Sequence, residues 1–119
     1  MKSLTHLFRK EIDLRLKSIT DKYINKGIVR GGILLLRPND SIDFIRECVQ
    51  NNLVLLGVDG FKVGKTWIQP EQDHSNDVDD YNLDQLQFVE ATINFIQERK
   101  NLDIWFEIVF EEKSDNKGC

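Results

Sequence analysis

Apolar residues recur at steps of three and four positions in three stretches of the chain, which predicts three amphipathic helices. The predicted helices cover residues 4–25, 41–51 and 83–100. Because the apolar residues of each stretch share one face, that face should be buried. The predicted inner positions are Leu4, Phe8, Ile12, Leu16, Ile19 and Tyr23, then Ile42, Ile45, Cys48 and Val49, then Leu86, Val89, Ile93 and Ile96, widened by Phe88 and Phe95.

The residues that flank these stretches favour helix ends. Gly27 follows the first helix, and glycine readily adopts the left-handed conformation at a helix end. Asp40 or Ser41 is predicted to cap the second helix, because a side-chain oxygen accepts hydrogen bonds from the amides of the first turn. Asn51 and Asn52 are predicted to end it.

Two other stretches favour β-structure. Residues 53–61 form an apolar run with the turn dipeptide Asp59-Gly60. This predicts a hairpin whose second strand returns over Val63 and residues 66–69, with Gly64-Lys65 as a further kink or turn, and ends at Pro70. Residues 104–110 are β-branched and aromatic and predict a buried strand. Residues 28–37 fit either a buried strand or a connector, because periodicity does not separate the two in a short apolar run.

These elements predict an α+β fold. A small, mostly antiparallel sheet with two to three helices packed on one face is the simplest way to bury the helical stripes. The length of 119 residues fits a single domain over residues 1–119, with an N-terminal amphipathic helix in 1–27 and a tail over 111–119.

Charge is distributed unevenly along the chain. The formal net charge is −4. Basic residues outnumber acids in the N-terminal quarter of the chain, and acids outnumber basic residues in the rest. Residues 70–84 are predicted to be an acidic loop with neither lysine nor arginine. Acids at this density repel one another, and a cation or a basic partner relieves that repulsion. The alternatives are a solvated loop and, for Asp80 or Asp84, a place at the start of the third helix. The acids of this segment are Glu71, Asp73, Asp77, Asp79, Asp80 and Asp84.

These acids, together with Asp59 and Trp67, are the predicted partner-binding residues. Trp67 flanks the predicted loop, and tryptophan is enriched among the residues that dominate binding energy at protein interfaces. The alternative for Trp67 is that it covers the edge of the sheet.

Signatures of catalysis and of cofactor binding are weak. The segment 63–66 contains Gly-Lys-Thr without the glycine spacing of a phosphate-binding loop, and residues 77–82 lack the glycine and the glutamate of a calcium loop. Asp73, His74 and Asp77 are a weak candidate for a transition metal. Asp59 and Glu107 could form a carboxylate pair on neighbouring strands, although acid–base use requires a cleft. We therefore predict no cofactor, no metal and no catalytic residue.

Other partners and compartments are less favoured. The first helix is basic, yet its own acids and the acidic chain as a whole argue against nucleic acid or an anionic membrane as the partner. The longest strongly apolar run covers only residues 33–36, and no secretory signal is visible. The two cysteines, Cys48 and Cys119, do not make a disulfide framework. A cytoplasmic location is predicted.

The stretch SIDFIRECVQNNLVLLGVDGF at 41–61, followed by an acidic segment, a helix and a closing apolar strand, resembles the immunity proteins of tRNA-cleaving colicins. The resemblance covers about residues 40–110. It implies a small α/β protein that binds a nuclease toxin and presents carboxylates where the toxin would hold RNA phosphates. Gly57, Asp59 and Gly60 carry over as turn-forming positions.

The expected function is therefore that of an immunity protein for a bacterial toxin, including toxins of contact-dependent growth inhibition. Two alternatives stay open at this point. One is a structural or regulatory module that self-associates, as a homodimer in which the basic helix of one copy meets the acidic segment of another. The other is a small enzyme or metal-binding protein.

Overall fold

A computed structural model of the chain describes residues 14–78 and 83–111. Helix α1 runs over Leu14–Tyr23 and continues as a 3-10 turn over Ile24–Lys26. This agrees with the predicted end of the first helix before Gly27, and its predicted start lies outside the described residues. The conformation predicted for Gly27 is wrong, because its backbone is extended and not left-handed. Ile19 and Tyr23 are buried, as their spacing predicts.

The ambiguous segment after Gly27 forms a short antiparallel hairpin. Strands β1 (Ile28–Arg30) and β2 (Ile33–Leu35) are joined by Gly31 and Gly32. Both glycines have positive φ angles, 59° at Gly31 and 79° at Gly32. A type I′ turn requires positive φ at both central positions, and glycine adopts such angles without steric cost. This explains why a glycine pair connects the two strands.

Helix α2 covers Pro38–Gln50 and begins earlier than predicted. Proline suits the first helical position because its missing N–H would have no partner there. The predicted cap is wrong: Asp40 lies in the first turn, and the buried Ser41 hydroxyl donates to the carbonyl of Leu36 at 3.2 Å. The predicted end at Asn51 is confirmed, since Asn51 is the C-cap.

Strands β3 (Leu55–Val63) and β4 (Ile68–Asp77) form the main hairpin, and the predicted turn at Asp59-Gly60 is wrong. Both residues lie within β3, at an irregularity in its pairing with β4. The chain reverses at Lys65 and Thr66 instead, where the Gly64 amide donates to the Trp67 carbonyl at 2.8 Å.

The predicted acidic loop over 70–84 is also wrong in its first half, because residues up to Asp77 belong to β4. Pro70 does not end this strand; it lies opposite Phe61. Hydrogen-bonded and non-bonded pairs alternate along an antiparallel hairpin, so the bonded pair Gly64–Trp67 makes Phe61–Pro70 a non-bonded pair. The missing amide of Pro70 therefore faces the open edge of the sheet, where proline is tolerated.

Helix α3 covers Gln85–Gln97, and strand β5 covers Trp105–Phe110, close to both predictions. Asp84 caps α3 in a reciprocal capping box with Gln87, which confirms the structural alternative for this acid. The inner position predicted at Leu86 is wrong, since its side chain is 71% exposed. The inner position predicted at Phe88 is confirmed, since its side chain is fully buried, and Thr92, which was not predicted, is fully buried beside it.

The strands form a sheet of order β4-β3-β5, antiparallel throughout, and β2 joins it through one bridge between Leu36 and Phe106. The α+β prediction is confirmed. No helix in the described ranges 14–78 and 83–111 is long and apolar enough to cross a membrane. The core lies between the sheet and the helices and includes Tyr23, Phe44, Ile45, Cys48, Leu55, Val58, Phe88, Ile96, Phe106 and Phe110.

Candidate partner-binding surface

Each of the three strands of the main sheet carries one member of a group of carboxylates, which we call the acidic patch. It consists of Asp59, Asp77 and Glu107. Asp59 on β3 lies directly opposite Glu107 on β5, and Asp77 on β4 lies opposite Gly57, two positions before Asp59. Alternate residues of a strand share a face, so the three side chains belong to one face of the sheet. The structure therefore brings together two predicted partner-binding residues and adds Glu107.

Two further predicted acids lie on β4, and Glu71 belongs to the opposite face of the sheet, because its partner Gly60 is the neighbour of Asp59 along β3. Glu71 lies opposite Gly60, and Asp73 lies in the irregular part of β4 between the two paired segments. Asp73 is exposed and Glu71 is half-buried. Both add negative charge to the same strand as Asp77.

Glycines of β3 allow β4 to approach closely beside the patch. A Cβ atom on Gly60 would lie 2.6 Å from the Cβ atom of His74, and one on Gly57 would overlap the carbonyl oxygen of Asn76. The residues carried over from the resemblance as turn-forming are thus strand residues, and the two glycines serve close packing. Asp59 lies between them, exposed on the sheet.

The carboxylate pair considered from sequence is present, because Asp59 and Glu107 are direct partners across β3 and β5. Burial raises the pKa of Glu107, and the nearby negative charge of Asp59 raises it further. Two negative charges at directly opposite positions of neighbouring strands repel each other, which destabilises the state in which both are charged. The pair is therefore a place where a positive charge from outside would be stabilised.

We expect Glu107→Gln to stabilise the chain at neutral pH, by under about 1 kcal/mol because Glu107 is only half-buried. A raised pKa means that the folded state binds the proton more tightly, so stability falls as pH rises from the ordinary glutamate pKa through the folded pKa. The variant lacks this loss. Its advantage in urea unfolding should be present at pH 7 and should shrink at pH 4; an equal advantage at both values would contradict the assignment.

Arg99 fastens the irregular part of β4 to the end of α3. Its Nε donates to Nδ1 of His74 at 2.9 Å, and its terminal nitrogens donate to the carbonyls of Asp73 at 3.2 Å and Phe95 at 3.0 Å. The guanidinium also lies 3.7 Å from the centroid of the Phe95 ring. The rigid fork of arginine suits several acceptors at once, so this side chain holds Asp73 in place.

Arg99 was not among the predicted residues, because nothing near it in sequence marks it as a partner of residues 73 and 74. It also explains the environment of His74, whose Nδ1 accepts from Arg99. Within the described residues no group of three or more histidine, cysteine, aspartate or glutamate side chains is arranged to hold a metal ion.

Substitution Arg99→Lys should loosen the Asp73 segment while keeping the charge. Lysine cannot reproduce the planar fork, so we expect a loss of about 1–2 kcal/mol, from hydrogen bonds worth ~1 kcal/mol each. Amide exchange of residues 72–75 should quicken more than that of β5. A matched change, Lys100→Arg, alters a neighbouring exposed residue and should leave both unchanged; equal behaviour of the two variants would show that Arg99 is not an anchor.

Other predicted partner-binding residues lie apart from the patch. Trp67 is 52% exposed at the hairpin turn. The Trp67 ring lies against Gly64, and Gly64 is five residues after Asp59 in the sequence. Asp84 serves as the cap of α3. Asp79 and Asp80 lie outside the described residues.

A cavity of about 270 Å³ opens at the patch. Asp59 and Asp77 line it together with the apolar residues Leu56, Val58 and Val109. A lining that combines apolar residues with carboxylates suits the aliphatic stem and charged head of a lysine or arginine side chain. The arrangement is thus able to receive a basic residue of another molecule.

The basic residues of α1 are partly used within the chain. Lys22 forms an ion pair with Glu47, which lowers the pKa of Glu47, and Lys17 pairs with Asp21 at 3.2 Å. The Tyr23 hydroxyl donates to Glu47 at 3.1 Å, and burial together with this carboxylate raises the pKa of Tyr23 to about 12. The contacts of Lys22 and Tyr23 attach α1 to α2.

Cys48 is a free, fully buried thiol, as its place in the predicted helix indicated. Burial, with a smaller contribution from the charge of Glu47, raises its pKa to about 12. A thiol that stays protonated is not suited to act as a nucleophile.

Comparison of the chain with protein-family models, with curated proteins and with solved structures gives no significant match in any of the three.

Proposed function

We propose that this chain is an immunity protein that binds a cognate bacterial toxin, a nuclease, and covers its basic active-site cleft. The observation that carries the proposal is the acidic patch on one face of the sheet. A cleft that binds RNA phosphates is lined by basic residues, and a surface of opposite potential both selects it and speeds its encounter.

The pair Asp59 and Glu107 favours a cationic partner over a neutral one. The free protein holds a half-buried glutamate beside another carboxylate, an arrangement that raises the pKa of the glutamate. A lysine or arginine placed there by the toxin would lower that pKa and compensate both charges. Binding of this kind favours the charged form of Glu107 and should weaken as the solution becomes more acidic.

The cavity beside Asp59 supports the same proposal. It offers apolar surface to the stem of a basic side chain and carboxylates to its head. Arginine seated in such a pocket is the kind of anchor that dominates binding energy at protein interfaces. The resemblance to immunity proteins of tRNA-cleaving colicins adds the expectation that the partner acts on RNA.

The test is co-expression with the C-terminal domain of the protein encoded immediately upstream. We expect that domain to kill cells alone, and this chain to restore survival and to co-purify with it. Killing that is unaffected by the chain, or a harmless neighbour, would contradict the proposal. Sedimentation of the purified chain over a wide range of concentration then tests the homodimer, which predicts a concentration-dependent mass.

A further inference from the structure

The sheet is split on one side of β5. Leu36 and Phe106 exchange both backbone hydrogen bonds, at 2.9 Å and 2.7 Å. Within the described residues this is the one bridge that joins the β1–β2 hairpin to β5. Beyond it no strand pairing joins β2 and β5 within the described residues, whereas β3 stays paired with β5 as far as Phe110. We call the opening between β2 and β5 the fork.

Backbone groups on both sides of the fork face one another. Alternate residues of a strand direct their N–H and C=O groups to the same side, so Leu34 and Ile108 point their groups into the fork as Leu36 and Phe106 do. They would be the next pair in register. The hairpin supports this assignment, because Val29 lies opposite Leu34 as a non-bonded pair, next to the bonded pair that flanks the glycine turn.

A cavity of about 350 Å³ occupies the fork, with α1 along one side. Its walls are largely apolar, and its charged residues are Lys17, Asp21 and Glu107, of which the first two pair with each other. Glu107 also belongs to the acidic patch, so the fork is continuous with the surface proposed to meet the toxin. The residues that line it include Leu16 and Thr20 of α1, Phe44 of α2, and Leu34, Glu107 and Ile108 of the strands.

We infer that the fork receives an extended, basic segment of the toxin, which adds to the open edge of β5 as a further strand. The inference rests on the proposed function and names how the partner docks. Strand addition supplies main-chain partners for Ile108 and Leu34, and the apolar walls accept alternate side chains of the segment. Glu107, with Asp59 beside it, selects a segment with a lysine or arginine at that position.

A second copy of this chain is a poorer occupant. Of the other free strand edges in the described residues, β4 is interrupted by Pro70 and carries acids, so it offers a broken ladder and a charge of the wrong sign. The other, β1, has only three residues and offers a short ladder. Edges with these features are protected against pairing, whereas the β5 edge in the fork is regular and uncharged at Ile108.

Amide exchange followed by NMR tests the fork in the free chain first. We expect the amides of Leu34 and Ile108 to exchange roughly 100-fold faster than those of Leu36 and Phe106, because only the latter are bonded. Equal protection of all four amides would show that the sheet is closed there, and would overturn the inference whatever the partner.

The second stage adds the toxin domain identified by the survival experiment. Its binding should slow exchange at Leu34 and Ile108 by at least about tenfold. The variant Thr20→Trp, which fills the fork from α1, should weaken binding at least about tenfold, whereas Ser18→Trp, on the exposed side of α1, should not. Both variants should keep the urea midpoint of the parent chain.

The outcomes separate the two proposals. If no toxin is neutralised, the proposed function fails and the inference falls with it. If the toxin is neutralised but the amides of Leu34 and Ile108 are unchanged in the complex, or both tryptophan variants bind alike, the inference alone is wrong.

Discussion

Reversing two charges of the acidic patch, Asp59→Lys together with Asp77→Lys, should slow association with the toxin by roughly 10- to 1,000-fold. Electrostatic attraction between a basic cleft and an acidic surface raises association rates by about that factor, and two lysines replace attraction by repulsion at the point of contact. Stopped-flow association at low and high salt measures the effect. The salt dependence of the parent chain should largely disappear in the variant.

The matched control is Asp43→Lys with Glu90→Lys. These acids are exposed on α2 and α3, away from the strands of the patch, and the net charge changes by the same amount. If the rate depends only on net charge, both variants will slow equally and the patch has no special role. If the patch variant alone is slow, and its dissociation rate changes less than its association rate, steering by the patch is established.

The sequence predicted the fold correctly where one physical signal, the spacing of apolar residues, dominated. The helical stripes, the closing strand at 104–110 and the buried thiol of Cys48 each reflect apolar spacing, which burial enforces. The start of α2 was misplaced, because Pro38 and the bond from Ser41 to Leu36 compete with the expected cap. Leu86 was misplaced because helical spacing fits more than one face of α3, and the buried face is the one that carries Phe88 and Thr92.

Strand β4 shows why the candidate site could be predicted only in part. Its sequence, IQPEQDHSND, has no apolar alternation and contains a proline, so it had the features of a loop. An edge strand that is exposed on much of both faces needs no alternation, and its register is imposed by β3 rather than by its own residues. The acidic character of the segment was therefore predicted, while the arrangement of its acids on a sheet was not.

Asp59 shows the same limit at a position where the local sequence signal is strong. The dipeptide Asp59-Gly60 is a strong turn signal, yet tertiary contacts place it inside a strand, where Gly60 permits the approach of His74. Local sequence predicted a turn there and not the close approach of β4 that Gly60 allows. The pairing of Asp59 with Glu107, far apart along the chain, depends on strand order, which periodicity does not contain.

Gly57→Ala should be among the most destabilising single substitutions in the sheet, at about 3 kcal/mol. The new Cβ atom would overlap the carbonyl oxygen of Asn76 and lie 3.1 Å from the Cα atom of Asp77, and these backbone atoms cannot move aside without shifting β4. Any gain from a stiffer unfolded chain, under about 1 kcal/mol, is too small to offset this.

Urea unfolding should show a midpoint lowered by roughly 2 M, given a dependence of about 1–3 kcal/mol per molar for small proteins. Lys62→Ala, exposed on the same strand, is the matched control and should change the midpoint little. Because the shift of β4 moves Asp77 away from Asp59, the folded Gly57→Ala variant should also associate more slowly with the toxin. A variant as stable as the parent would mean that β3 and β4 are less closely packed at Gly57, and that the acidic patch does not depend on this glycine for its arrangement.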